Sequence, residues 1–248
     1  MATHEPRFYL IYDLETSPRP YDSFSESQQE YIVRGAGTEE EKSKKHSEMA
    51  LSPLTGKIVC IGLQLMETMD DGSYKLKKKK AFAVEESISE PRKEHLESGS
   101  ECEINSEPEI IKSFWGIFNE EKYKNVHLIT FNGRNFDAPF LMLRSAILGL
   151  KPTRNLMAGT KFTYPLHTDL LDELTFFSPG PYGATKRFNF DFYTREFDIT
   201  SPKGGGIDGS KVSEFYKEGK ILDIAEYCLR DITATWELFL KWKEYLRW

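Results

Sequence analysis

Asp13 and Glu15 stand two residues apart at the end of an aromatic and β-branched run, Phe8-Tyr9-Leu10-Ile11-Tyr12, that reads as a strand. Side chains two apart on a strand point to one face, so these carboxylates repel unless a proton or a cation lies between them. Asp137 follows a polar turn, Asn132-Gly133-Arg134-Asn135, and falls in the first turn of the next helix. Tyr227 and Asp231 are four apart in the last apolar-periodic segment, which stacks them on one helix face. Four carboxylates are the oxygen ligands that hard divalent cations take, and they leave room for water. Each piece also has a plainer reading. Asp13 and Glu15 suit a solvated strand end, and Asn135 suits a helix N-cap with Asp137 as a favourable charge beside it. Asp231 suits pairing with Arg230 or Arg195, and Tyr227 suits a packed ring.

The elements that must position these residues are legible as apolar runs. Strand signals recur at 58–66, 75–84 and 126–131, with Asp70-Asp71-Gly72 as a hairpin turn. Helical spacing marks 107–121, a segment carrying Phe136, Phe140, Leu143, Ile147 and Leu150, and a last helix from 221. The seam of that last helix is Ala225, Cys228, Leu229, Ile232, Trp236 and Phe239. Residues 166–174 fit a short strand or a helix. Residues 21–55 are weakly helical, and their charged stretch at 39–48 suits a solvated helix or a mobile cover. Residues 85–109 hold nine glutamates and two prolines, so a charged, flexible loop is expected there. The lysines at 77–80 suit a charged edge strand, with phosphate contact as the alternative. A strand meander, then strand–helix alternation, then helices imply an α/β fold: a mixed sheet of five to six strands flanked by helices, in a single domain 1–248.

Composition bounds the rest. The chain has 248 residues, 39% apolar and 29% charged, with net charge −6. It can build a core, and it has no run long enough for a membrane helix. The start lacks a signal-peptide pattern, and the three cysteines form no zinc pattern and suit a reducing compartment. A cytoplasmic protein without a membrane partner is expected. The acidic balance argues against nucleic acid held by bulk charge alone, but not against phosphate bridged through metal.

Taken together and in order, the acids and the tyrosine resemble the DEDD superfamily of 3′–5′ exonucleases, which have a ribonuclease H-like fold. Asp13-Leu14-Glu15-Thr16 matches the first motif, Asn132-Gly133 through Phe136-Asp137 the second, and Tyr227 to Asp231 the third, in its tyrosine subclass. The surrounding sequence is similar to proofreading domains of family B DNA polymerases and their stand-alone bacterial relatives. Pro53-Leu54-Thr55-Gly56-Lys57-Ile58-Val59-Cys60-Ile61-Gly62 and His167-Thr168-Asp169-Leu170-Leu171 carry that similarity. It spans 8 to about 240, and an exonuclease domain without a polymerase is expected.

The resemblance implies a metal-dependent 3′–5′ exonuclease that uses two divalent cations, Mg²⁺ or Mn²⁺. The partner is a single-stranded nucleic acid 3′ end, DNA rather than RNA. Asp13, Glu15, Asp137 and Asp231 would hold the metals, and Tyr227 would orient the attacking water. The chemistry suits the residues independently: phosphodiester hydrolysis needs an activated water, a neutralised phosphate and a supported leaving oxygen. Leu14 and Phe136 are candidates for contact with terminal bases, Asn132 for substrate, and Thr16 for the terminal 3′ hydroxyl through its backbone. Lys186, Arg187 and Lys203 are candidate phosphate contacts. His167-Thr168-Asp169 is either a supporting group behind the site or a capped strand end. The alternatives are the same chemistry on RNA, and a catalytically inactive binding or scaffold module. Gly204 to Gly209 fits G-x-G-x-x-G by letter, but no strand precedes it and too few residues follow for a dinucleotide fold. It is expected to be a flexible loop near substrate.

Overall fold

A computed structural model describes residues 5–201 and 207–247. Lys203 and Gly204, Gly205 and Gly206 of the expected glycine loop lie outside the described residues. The strands are β1 (Phe8–Pro18), β2 (Gly56–Thr68), β3 (Tyr74–Val84), β4 (Arg92–His95), β5 (Glu101–Asn105), β6 (His127–Thr130) and β7 (His167–Asp169). They form one mixed sheet in the order β4-β5-β3-β2-β1-β6-β7. β1, β2 and β3 make an antiparallel meander, while β6 joins β1, β7 joins β6 and β5 joins β3 in parallel. The helices are α1 (Glu26–Ile32), α2 (Glu39–Glu48), α3 (Glu107–Gly116), α4 (Asp137–Ile147), α5 (Leu170–Leu174), α6 (Phe190–Glu196), α7 (Val212–Lys217) and α8 (Ile221–Tyr245).

The sheet therefore has seven strands, not five to six, and the difference lies in 85–109. That acidic segment contains β4 and β5 where a loop was expected. Within β5 the acids alternate with buried Cys102 and Ile104, and Glu103 pairs with Lys80 across the strands at 3.1 Å. Period-two burial was hidden under the glutamate count. β4, made of charged residues, is the edge. The lysine-rich strand β3 is an edge only along 74–79, because β5 pairs with 80–84. Residues 166–174 hold both expected states, β7 and then α5. α1 and α2 bury no side chain, as a solvated helix would. α6 and α7 were not apparent in the sequence.

Alternation along β1 divides the core. Leu10, Tyr12 and Leu14 face α3 and α4, together with Ile61, Leu63 and Phe82. Tyr9 and Ile11 face α8, together with Cys60, Ala81 and Ala83. Asp13 and Glu15 continue that second face. α4 is fixed by the buried Arg144 guanidinium, which donates twice to Glu107 at 2.8 Å, while Glu107 accepts the Ile58 N–H at 2.8 Å. α8 lies close to the sheet because Gly62, the register partner of Asp13, has no side chain. A Cβ there would stand 2.4 Å from Ile232 Cδ1 and 2.7 Å from Cys228 Sγ. Gly62→Ala must push α8 outward. We expect it to cost about 1–3 kcal/mol, as overpacking does, and to lower Tm by several degrees in a thermal melt. An unchanged Tm would show that the helix yields freely.

Candidate active site

β1 and β6 pair only as far as Ile11 and Ile129. Beyond that point the Leu14 N–H, set between the two acids, donates to Asp137 Oδ1 at 2.9 Å. The first residue of α4 is thus tied to the strand that carries Asp13 and Glu15. From the α8 side, the Cys228 thiol donates to the Asp13 carbonyl at 3.6 Å and to Asp13 Oδ2 at 3.7 Å. Next to Cys228 on the same helix, the Tyr227 phenol is hydrogen-bonded to Asp231, one turn further on. Glu15, Asp137 and Tyr227 are all buried.

The four acids act on one another electrostatically. Burial raises the pKa of Asp13, and the charges of Asp137 and Asp231 raise it further. Glu15 is raised by burial, then by Asp13 and Asp231. Burial pushes Asp137 up to about 7, although the Leu14 N–H and its own N–H hold it back. Tyr227 is raised by burial and then by Asp231 and Glu15. Among the described residues no lysine, arginine or histidine forms an ion pair with Asp13, Glu15 or Asp137. Arg195 pairs with Asp191 at 3.0 Å rather than with Asp231. Asp13, Glu15 and Asp137, gathered in the protein without an ion-pair partner, fit hard divalent cations.

Asp169 supports the site from behind. Fully buried, it accepts the N–H groups of Asn132 at 2.8 Å and Arg134 at 2.7 Å, and that of Leu171 at 3.1 Å. Burial pushes it up to about 6, against the pull of these donors. It is both of the expected things, a cap for α5 and a brace for the turn that delivers Asp137. The turn needs Asn132 at φ 64° and Gly133, where a Cβ would meet Thr130 at 2.5 Å. Arg134 extends the brace through carbonyls of Leu156, Ala158 and Thr160.

The expected substrate contacts fare unevenly. Leu14 is 4% exposed and packs in the α3/α4 layer, so its side chain fills core instead of facing a cleft. Phe136 is half-buried against Phe140. The Thr16 hydroxyl donates to the Ala50 carbonyl at 2.8 Å, which commits the side chain but not the backbone. The Asn132 carboxamide oxygen accepts from Asn135 and Arg187, so this side chain shapes the turn. A 410 Å³ cleft opens beside Tyr227 and Asp231, walled by Asn189, Phe190 and Asp191 and by Asp208, Gly209 and Ser210. The first trio was missed in the sequence; its one signal is Asn189 as an N-cap, which accepts the Phe192 N–H at 3.0 Å. A second cavity, of 840 Å³, flanks Ser17 and Pro18 between α2 and α7 and contains none of the four acids.

A family model described as a predicted 3′–5′ exonuclease related to the exonuclease domain of PolB matches residues 74–246. The family B DNA polymerase of the hyperthermophilic archaeon Pyrobaculum calidifontis superposes with a TM-score of 0.55 at 17% identity, over 96% of this chain and 25% of that one. Exonuclease I of E. coli, in complex with a dT13 oligonucleotide, gives a TM-score of 0.46 at 13% identity, over 95% of this chain and 41% of that one. The chain thus spans a quarter of the polymerase and about two fifths of the Exonuclease I chain. No curated relative matches it.

The raised Asp137 pKa has a definite sign. A free aspartate titrates near 3.8, so the folded protein keeps a proton that the unfolded chain releases. The stability gained is full below about 4 and is lost as pH rises through about 7. A cation held by Asp137 would compete with that proton and would bind only the folded chain. We expect saturating Mn²⁺ to raise Tm more at pH 8 than at pH 6. Equal shifts at the two pH values would place Asp137 outside the cation's reach.

Proposed function

The chain belongs to the family of predicted 3′–5′ exonucleases related to the exonuclease domain of PolB, and from that premise we propose that it removes nucleotides from the 3′ end of single-stranded DNA. The observation that carries this reading is the meeting of Asp13, Glu15, Asp137 and Asp231 at the end of β1, mutually repelling, with Asp137 bonded to the strand between the first two. Two divalent cations, Mg²⁺ or Mn²⁺, would supply a neutralised phosphate, an activated water and a supported 3′ oxygen. Asp13 and Glu15 hold them from the strand, Asp137 from α4 and Asp231 from α8. Tyr227, turned toward Asp231, orients the water that attacks phosphorus. Its raised pKa keeps the phenol protonated and able to donate. Asp169 holds Asp137 in register but touches no substrate.

A single strand is favoured by what borders the cleft. Phe188 and Phe192 stack at 4.3 Å, are 38% and 48% exposed, and flank the cleft-lining Asn189 and Phe190. Lys186 lies over the Phe188 ring, and Arg187 is beside it. Exposed rings with neighbouring cations suit unpaired bases and their phosphates. No helix among the described residues is long and apolar enough to cross a membrane. Three free thiols suit the reducing cytoplasm.

Digestion of 3′- and 5′-labelled DNA and RNA oligonucleotides with Mg²⁺, Mn²⁺ or EDTA tests the proposal. Shortening of single-stranded DNA from its 3′ end, abolished by EDTA, is expected. Faster loss of RNA would move the assignment to an exoribonuclease, and no cleavage of either would leave a binding module. Asp13→Asn is expected to abolish hydrolysis while oligonucleotide binding and the melt persist. Ordinary turnover by this variant would remove Asp13 from the site. Tyr227→Phe keeps the ring, so Tm should move by about the worth of one hydrogen bond, 0.5–1.5 kcal/mol. The single-turnover rate should fall roughly 10- to 1,000-fold. A variant as fast as the parent would return Tyr227 to a packing role.

A further inference from the structure

The 840 Å³ cavity beside the end of β1 falls in the range that takes a small ligand, roughly 300–1,000 Å³. Its uncompensated charge is positive. Of the acids on its wall, Glu85 pairs with Arg92 and Glu86 with Lys57. Arg19 and Lys217 line it too, and among the described residues neither forms an ion pair. In a chain of net charge −6, two cations without a counter-charge on one cavity select an anion. The rest of the wall adds rings and unmet hydrogen bonds. The Tyr21 and His46 ring centroids are 4.4 Å apart, and Lys57 Nζ lies 4.6 Å from the Tyr216 ring centroid. His46 Nε2 and the Tyr216 hydroxyl are buried and have no hydrogen-bond partner among the described residues. Buried polar atoms are seldom left so, and each calls for a group to meet it. α2 supplies His46 while burying no side chain of its own, as a cover over the cavity would.

Inorganic phosphate would answer the cations and leave the rings and most of the volume unused. A nucleoside 5′-monophosphate answers all of them: a phosphate for Arg19 and Lys217, a planar base for the rings, and polar base and sugar atoms for His46 and Tyr216. We propose that this cavity is an effector site for a nucleoside 5′-monophosphate, separate from the four acids, and that its occupancy slows turnover. The binding stands apart from the proposed function; the effect on turnover rests on it, because hydrolysis at a 3′ end releases a nucleotide of this class. The route between the two sites is short. Ser17 and Pro18 line the cavity and lie two and three residues beyond Glu15 on β1. The Thr16 hydroxyl ties the same strand to the Ala50 carbonyl, just past α2. A ligand that fixes this stretch acts on the strand that presents Glu15.

The test is a calorimetric titration of the full chain with deoxyadenosine 5′-monophosphate in EDTA, which keeps cations off the acids. One nucleotide per chain is expected, with inorganic phosphate and deoxyadenosine each binding at least about 10-fold more weakly. Lys217→Glu and Arg19→Gln should each weaken binding on the order of 10-fold, as loss of a hydrogen bond to a charged group does. Lys217 is exposed, so the first variant should melt as the parent does. Asp13→Asn should bind the nucleotide as tightly as the parent. In Mn²⁺-supported hydrolysis the nucleotide should lower kcat with KM unchanged, and Lys217→Glu should keep the basal rate and lose this inhibition. Binding that requires Mn²⁺, or that Asp13→Asn abolishes, would put the nucleotide on the acids and overturn the proposal. Inorganic phosphate binding as tightly as the nucleotide would overturn it as well. Displacement of the nucleotide one for one by a single-stranded oligonucleotide would make the cavity part of the strand's path instead, and an unchanged kcat at saturation would remove the effector role. Binding in EDTA by a chain that cleaves no oligonucleotide would support the site and overturn the exonuclease reading.

Discussion

The hydrogen bond from the Leu14 N–H to Asp137 joins three layers at one residue. Leu14 turns its side chain into the α3/α4 core and its N–H toward α4, while its neighbours Asp13 and Glu15 project toward α8. It can do so because β1 runs on after its pairing with β6 has stopped. An unpaired strand N–H is thereby used to seat a carboxylate that belongs to another element. If β6 were longer, that donor would be taken by a sheet bond, and Asp137 would have nothing to hold it beside the first two acids.

Everything else around the site supports this junction against a force that opposes it. The carboxylates repel and are buried, and both effects push their pKa values up. Rigid packing holds them together. The Asp169 carboxylate fixes the turn before α4 through two backbone N–H groups, and Arg144 with Glu107 clamps α4 to α3. Gly62 brings α8 down onto the sheet. Under the proposed function, a cation bound among these acids would recover the stability sacrificed to the cluster and so couple folding to proton and metal binding.

Sequence reading singled out the acids and Tyr227 because each sits where local rules are strong: a strand end, a first helical turn, an i, i+4 pair. It reached the meander and α8 for the same reason, since their apolar periods are clean. It failed where composition masked period, as in β5, whose buried Cys102 and Ile104 sit among glutamates. It also failed where tertiary contact decides a side chain's role. Leu14 looks available in the motif, yet the α3/α4 layer takes it; Asn132 looks like a substrate contact, yet its carboxamide serves the turn. Gly62 carried no local signal, because its importance depends on two side chains of α8, far away in sequence. The double role of Asp169 was open for want of a partner, and the Asn132 and Arg134 amides supplied one.

The central claim is that four carboxylates from β1, α4 and α8 form one cation site. Anomalous diffraction from crystals grown with Mn²⁺ tests it directly. The account predicts two peaks about 3.5–4 Å apart, bounded by Asp13, Glu15, Asp137 and Asp231. Peaks elsewhere on the molecule, with these four side chains unchanged and without metal, would contradict it.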